Sequence, residues 1–536
     1  MKSKKYLLIA TIAVLILFVL AKTVFKKIIP TVNVPEKNYT KLSVPAPFED
    51  PLQITETFFP DRICNILDYG ATVGGKTKNT QSFEKAISDC SAAGGGHVVV
   101  PAGTFLTGPI KLKSNIDLHL EKDAEVIFST DFSDYLPVVF SRFEGIEYYN
   151  FSPPIYSRNA LNIAITGEGT FNGQGRAWWN LRIFSNIDGL YDSAEEEVPV
   201  KDRVYGDTNK GLRPSFAQFI NSQIILLDGV TFVDGPMWTV HPVYSKNIII
   251  KNIKIKTAQG PSTDGIVIDS SRNVLVENSH FSTGDDAIAI KSGRDKDGRR
   301  VGLASKNIVL RNCQVDEAHG AIAIGSEISG NVENVYAKDF IIKRVQYGFR
   351  IKSNMQRGGT AENIWIENLS AENVTEALIQ LNTDYEKKYI DYEDFPPEFR
   401  NINITDVFCN KTIDSINIIG QPESTLENIN LKNIQIAKAR KGALIENAND
   451  IELSQVSMAN KNEPAFTLKD SKNIKIENST CNSQHKTCLS ISGKNTSNIK
   501  LVGDDFKKDN KNVLLSPEVD KSQLNYLLPV PAQIDR

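Results

Sequence analysis

Histidine and cysteine are scarce in this 536-residue chain, at six residues each. No two cysteines stand at C-x-x-C spacing and no histidines are paired at ligand spacing, which disfavours a zinc domain, a disulfide-built scaffold and a metal enzyme. An excess of one charge is also lacking. Sixty-one Lys and Arg stand against 64 Asp and Glu, a net charge of −3, so the chain lacks the basic surplus that a nucleic-acid binder needs to neutralise phosphates. Long apolar runs are absent except for one, which excludes a polytopic membrane protein. What is present is 41% hydrophobic and 23% charged residues, the balance of an ordered chain with ample apolar surface to bury. Length alone allows three average domains or one elongated fold.

The single apolar run is Leu7 to Ala21, preceded by Lys2, Lys4 and Lys5 and closed by Lys22, with no acidic residue before Glu36. A basic start followed by an apolar stretch is what the secretory machinery reads. Residues 1–26 are therefore expected to be a signal peptide or an uncleaved signal-anchor, and the protein to be exported to the periplasm, cell surface or medium. Any membrane contact would run through that segment alone. Residues 27–60, with Pro30, Pro35, Pro45, Pro47, Pro51 and Pro60, predict an extended linker or a first strand laid along the body.

From about residue 160 one short phrase recurs: a polar residue, usually Asn, followed by alternating apolar positions. Asn247, Asn273, Asn307, Asn363, Asn401, Asn428, Asn473 and Asn498 each open one, with weaker copies at Asn334 and Asp450. Period-2 alternation rich in Ile and Val predicts strands, and Asn between them suits turns that visit positive φ. A repeat of two or three strands cannot bury its own apolar face. Stacked on its neighbours it can. The fold expected over residues 61–505 is all-β, a parallel β-helix with an asparagine ladder along one turn, followed by a tail at 506–536. Thr80 to Ala93 is the one clear amphipathic helix, with Phe83, Ala86, Ile87 and Cys90 on one side, and is expected to cap the open end.

Four segments interrupt the apolar pattern. They hold Asp264, then Asp285 and Asp286, then His319, then Arg350 and Lys352, each set one coil after the last. Parallel coils stack about 4.8 Å apart, so matching positions on four of them line one groove within about 15 Å. Three carboxylates at that spacing cannot all ionise easily, so at least one is expected to be held protonated as a general acid while its neighbours stay charged as base. An Arg and a Lys alongside suit an anionic substrate group. The combination predicts hydrolysis of an acidic polysaccharide. Read singly, Asp-Asp after Thr-Gly also suits a turn or a calcium site, His-Gly a turn, and Arg-Ile-Lys an exposed strand.

These segments resemble the signatures of glycoside hydrolase family 28, the polygalacturonase family. STD 262–264, GDD 284–286, HG 319–320 and RIK 350–352 match its motifs in order and spacing, and LRPSF 212–216, MWTVHP 237–242, DAIAIKSG 286–293, AIGSEISG 323–330 and RGG 357–359 agree around them. The similarity covers roughly residues 60–435. It implies a right-handed β-helix and inverting hydrolysis of α-1,4 galacturonosyl bonds in pectin, with no cofactor and no metal. Asp285 would be the proton donor, Asp264 and Asp286 the activators of water, and His319 a residue tuning the acid. Arg350 and Lys352 would hold a uronate carboxylate, and Tyr385 would contact substrate. Ser262 stands where the family has Asn, and the coils beyond about 440 have no assigned task. Coil spacing by itself favours retention of configuration over the inversion that the resemblance implies. Rhamnogalacturonan and substituted galacturonan are the alternative substrates. A calcium-dependent pectate lyase and a non-catalytic glycan-binding β-helix are the remaining rivals. A monomer is expected.

The strand repeats at Asn162 and Gln223 stand 61 residues apart, about twice the ordinary interval, because of the segment Arg176 to Arg213. It is expected to leave the helix as a loop walling one end of the groove, with Trp178 and Trp179 stacking on sugar rings, and so to make the enzyme exo-acting. Cys481 and Cys488 are close enough to pair in an oxidising compartment.

Overall fold

The computed structural model describes residues 39–386, 392–462, 464–481, 487–503 and 512–527. The signal or anchor expected at 1–26 lies outside them. Among the described residues no helix is long and apolar enough to cross a membrane.

The chain winds into a right-handed parallel β-helix. In the middle of the molecule each coil holds three strands, for example Val240–Val243, Lys246–Lys251 and Lys254–Thr257, which pair in parallel with Ile266–Asp269, Arg272–Glu277 and His280–Thr283 of the next. The register stacks like on like. Ile225 pairs with Ile248, Ile248 with Val274, Val274 with Ile308 and Ile308 with Val335, and all five side chains are buried. Full burial of one such side chain stabilises by about 1.5–3 kcal/mol, and a continuous column makes the coils one core. On another strand of the same coils Phe171 stacks on Phe232 with ring centroids 5.4 Å apart, in a separate buried column.

The recurring asparagines make the turns. Asn247, Asn273, Asn307, Asn334, Asn363, Asn401 and Asn428 have φ between 51° and 56°, a region that costs most L-residues and that Asn tolerates. Their amides form the ladder expected from the sequence. Asn307 Nδ2 donates to Asn273 Oδ1 at 3.2 Å, Asn334 to Asn307 at 3.0 Å, Asn363 to Asn334 at 3.2 Å and Asn401 to Asn363 at 3.1 Å. Asp450 interrupts it: Asn473 donates to Asn449 instead, at 2.9 Å. A second row, which the sequence reading missed, lies five residues on, where Asn368 donates to Asp339 at 2.7 Å and Asn433 to Asp406 at 2.6 Å.

The helix Thr80–Ala92 buries Phe83, Ala86, Ile87 and Cys90 in the same apolar cluster as the first coils' Val98 and Leu118. Within the expected linker, Lys41–Val44 and Leu52–Thr55 form an antiparallel hairpin. Its Val44, Leu52 and Ile54 pack on Ile249, Leu275 and Val309 of the outer sheet face. The winding also continues past residue 505, where a tail was expected. Val513–Leu515 pairs in parallel with Leu489–Ser492, and Leu524–Leu527 with Ser497–Val502. The boundary was missed because these strands are short and lack the asparagine phrase. A disulfide joins Cys481 to Cys488.

Asn363 tests the ladder. Asn363→Ala and Asn363→Gly both lose the two amide bonds, but only Ala must be forced into positive φ. The Gly variant should be the more stable by about 0.5–1 kcal/mol, read from urea midpoints. Equal midpoints would show that the turn conformation contributes nothing.

Candidate active site

The three aspartates sit just ahead of the first strand of their coils, while His319 lies within the strand Ser305–Gly325 and Arg350 and Lys352 at the end of the strand Val332–Lys352. Asp264 precedes Ile266–Asp269, and Asp285 and Asp286 precede Ile288–Lys291; the Gly265 N–H donates to the Asp286 carbonyl at 2.9 Å. Glycine permits the close approach. A Cβ on Gly320 would lie 2.5 Å from Asp286 Oδ1, so the His-Gly step clears the space that the carboxylate fills. The three aspartates each bring a carboxylate oxygen within 4.8 Å of the others. Asp264 and Asp286 are buried, while Asp285 is partly open.

The cations close around them on the following coils. Lys352 Nζ donates to Asp286 Oδ2 at 3.2 Å. Arg350 lies 3.9 Å from the Tyr347 ring centroid and 5.4 Å from that of Tyr385, and Lys352 Nζ is 5.1 Å from the Tyr385 ring. All seven expected residues are thus gathered in one place. His319 differs in detail. Its backbone N–H donates to the Asp285 carbonyl at 3.0 Å, but its ring faces Arg350, whose Nη1 lies 2.7 Å from His319 Nε2. Since guanidinium only donates, Nε2 accepts and the ring is neutral in this contact.

Two neighbours were missed. Tyr347 supports Arg350 from below. Lys291 donates to Glu327 Oε2 at 2.6 Å and to the Gly325 carbonyl at 2.9 Å, with its charge also felt by Asp264 and Asp286. Its signal was present in DAIAIKSG, but a lysine in an alternating strand reads as surface. The segment Arg176 to Arg213 folds into short helices, Arg176–Trp179 and Ile187–Glu195 among them. It lies against the turns beside Asp264: Trp179 Nε1 donates to the Gly235 carbonyl at 3.0 Å, and Arg213 Nη1 to the Pro261 carbonyl at 2.6 Å. Trp178 cannot stack on a sugar, because it is fully buried among Phe132, Tyr135 and Phe151. A hairpin absent from the sequence reading, Val139–Phe143 with Ile146–Asn150, brings its tip to the same region, where the Arg294 N–H meets the Gly145 carbonyl at 3.3 Å.

The electrostatics separate the three carboxyls. Burial, then the charges of Asp285 and Asp286, push Asp264 well above the usual carboxylate range. Burial and Asp286 raise Asp285. Burial also penalises charged Asp286, but the charges of Lys352, Arg350 and Lys291 outweigh it and hold this carboxyl below its ordinary value. Burial leads the effects on His319 as well and lowers its pKa. The cluster thus holds one stabilised carboxylate and two that favour protons.

Because the folded pKa of Asp286 is depressed, the stability it contributes is present above the unfolded carboxylate pKa and is lost as pH falls through the folded value. Lys352→Met removes the nearest cation. The Asp286 carboxyl should then titrate at higher pH in carbon-detected NMR, and the variant should lose less stability across that acid window. An unmoved titration would mean that Lys352 does not set this charge.

Comparison with known proteins agrees with this geometry. The model of glycosyl hydrolases family 28 matches residues 202–449, and one described as rhamnogalacturonase A/epimerase, pectate lyase-like, matches residues 63–119. A probable polygalacturonase of Vitis vinifera is 31% identical over 393 residues, 70% of this chain and 75% of that protein. The exo-poly-alpha-D-galacturonosidase of Dickeya chrysanthemi is 26% identical over 362 residues, 62% of this chain and 58% of that one. The crystal structure of a hyperthermoactive exopolygalacturonase from Thermotoga maritima superposes with a TM-score of 0.68 at 38% identity, covering 74% of this chain and 89% of that one. With its motifs on consecutive coils and its relatives matched over most of the fold, the chain belongs to glycosyl hydrolases family 28.

Proposed function

We propose that the protein hydrolyses α-1,4 galacturonosyl bonds of galacturonan from a chain end, by acid and base catalysis without a cofactor. The observation that carries this reading is the trio Asp264, Asp285 and Asp286 within 4.8 Å, continued on the next coils by Arg350 and Lys352. Carboxyls supply the proton transfers, and two cations in line suit a substrate bearing one carboxylate per sugar.

Asp285 is the proton donor. It is the most accessible of the three, and its raised pKa keeps a proton available for the leaving oxygen. Asp286, kept ionised beside Lys352, takes the proton of the attacking water, and Asp264 orients that water. Arg350, braced by Tyr347 and Tyr385, and Lys352 hold the substrate carboxylate, while neutral His319 positions Arg350. The tight spacing of the carboxylates favours a nucleophile and retention. The availability of two buried carboxyls for one water, with the inverting habit of the family, supports inversion. The anomeric configuration of the first product decides between them.

The segment Arg176 to Arg213 and the hairpin 139–150 stand beside the Asp264 turn, which supports a wall across one end of the groove and exo action. The basic, apolar N-terminal run and the Cys481–Cys488 disulfide support export to an oxidising compartment.

Purified protein should release reducing ends from polygalacturonate, with solution viscosity falling slowly relative to bond cleavage. A sharp viscosity drop at low cleavage would mean internal cutting. Asp285→Asn should lose at least about 100-fold in turnover while keeping its fold. A variant with near wild-type rate would move the acid elsewhere. Chelator should leave activity intact; its loss would point to a calcium-dependent lyase.

A further inference from the structure

The insert, the tip of the 139–150 hairpin and the turn ahead of Asp264 enclose a cavity of about 260 Å³, lined by Phe143, Glu144, Arg182, Arg213 and Ser262 among others. Ser262 is two residues from Asp264, so the cavity lies beside the turn that carries this carboxyl. Its charge is unusual. Arg213 is only 4% exposed. Its Nη1 is spent on the carbonyls of Pro236, at 2.9 Å, and Pro261, at 2.6 Å, and among the described residues no carboxylate pairs with it. Burial, with the like charge of Arg182 adding to it, lowers its pKa to about 10. A guanidinium so placed is held at a cost unless an anion arrives.

The one carboxyl facing this space is not that anion. Glu144 accepts a hydrogen bond from Tyr191 and lies 3.6 Å from Arg294, and burial raises its pKa so that its own charge is disfavoured. Arg182, from the exposed side of the insert, adds a second cation at the rim. The volume is small as well. Pockets that take drug-sized ligands run to roughly 300–1,000 Å³, so this one suits a single sugar ring.

We propose that this cavity receives one terminal uronate, its carboxylate held by Arg213 and Arg182, so that the enzyme releases galacturonate one unit at a time. The proposal rests on the reading of the chain as an exo-acting galacturonan hydrolase, and adds the length and charge of the unit removed.

Tetragalacturonate digestion separates the two. Monomer and trimer appearing first and in equal amounts is the expected result. Dimer as first product would overturn the one-ring cavity and leave hydrolysis standing, whereas no cleavage at all would overturn the underlying function. Free galacturonate should inhibit competitively, and galactose, the same ring without the carboxylate, at least about tenfold more weakly. Arg182→Ala, on an exposed side chain that holds no part of the fold, should weaken inhibition by galacturonate about tenfold and leave that by galactose unchanged. Arg213→Gln should do the same more strongly, with circular dichroism confirming that it folds. Galacturonate inhibition unchanged in both variants would overturn the assignment.

Discussion

Coil-on-coil registration is the constraint on which everything else depends. Parallel strands pair only when each coil closes at the same place as the one before, and here the closure is set by asparagines in positive φ whose amides bond to the coil on either side. The ladder and the buried Ile and Val columns reinforce each other. A slip by one residue would turn apolar side chains outward and break the amide row at once. That double penalty lets loops of very different length leave the coils without disturbing the register: the step from Asn273 to Asn307 contains a whole helix, Asp295–Val301, yet the two side chains still meet.

Registration also explains how so much charge is tolerated together. Arg142 and Asp269, Lys291 and Glu327, and Arg357 and Asp295 are ion pairs buried beside the site, at 3.1, 2.6 and 2.7 Å. Each would be unfavourable if one partner were displaced. Held by paired backbones, they form a fixed setting, inside which burial and the charge of Asp286 raise Asp285 while Lys352 and Arg350 lower Asp286. The site is prepared before substrate arrives, which is what a reaction with developing charge requires.

Much of this was legible in the sequence because a solenoid converts intervals along the chain into distances in space. Asp264, Asp285, Asp286, His319, Arg350 and Lys352 could be gathered without any knowledge of long-range packing, and the asparagine ladder followed from the repeat. What was hidden lay outside that arithmetic. The 139–150 hairpin has no repeat phrase and depends on contacts with Arg294, far along the chain. Trp178 read as an exposed platform because nothing local shows that Phe132, Tyr135 and Phe151 surround it. The partner of His319 depended on a ring orientation that spacing does not specify, and the final strands were too short to stand out.

The hairpin and the insert have a consequence for how such a protein diversifies. Both leave the solenoid on coils earlier than Asp264, whereas the reacting groups arise on the coils that follow. On the roles proposed above, substrate reach and bond-breaking are therefore encoded in separate stretches of the gene. An insertion, a deletion or an exchange in residues 139–213 can reshape what end of a polymer is admitted while the aspartates keep their places.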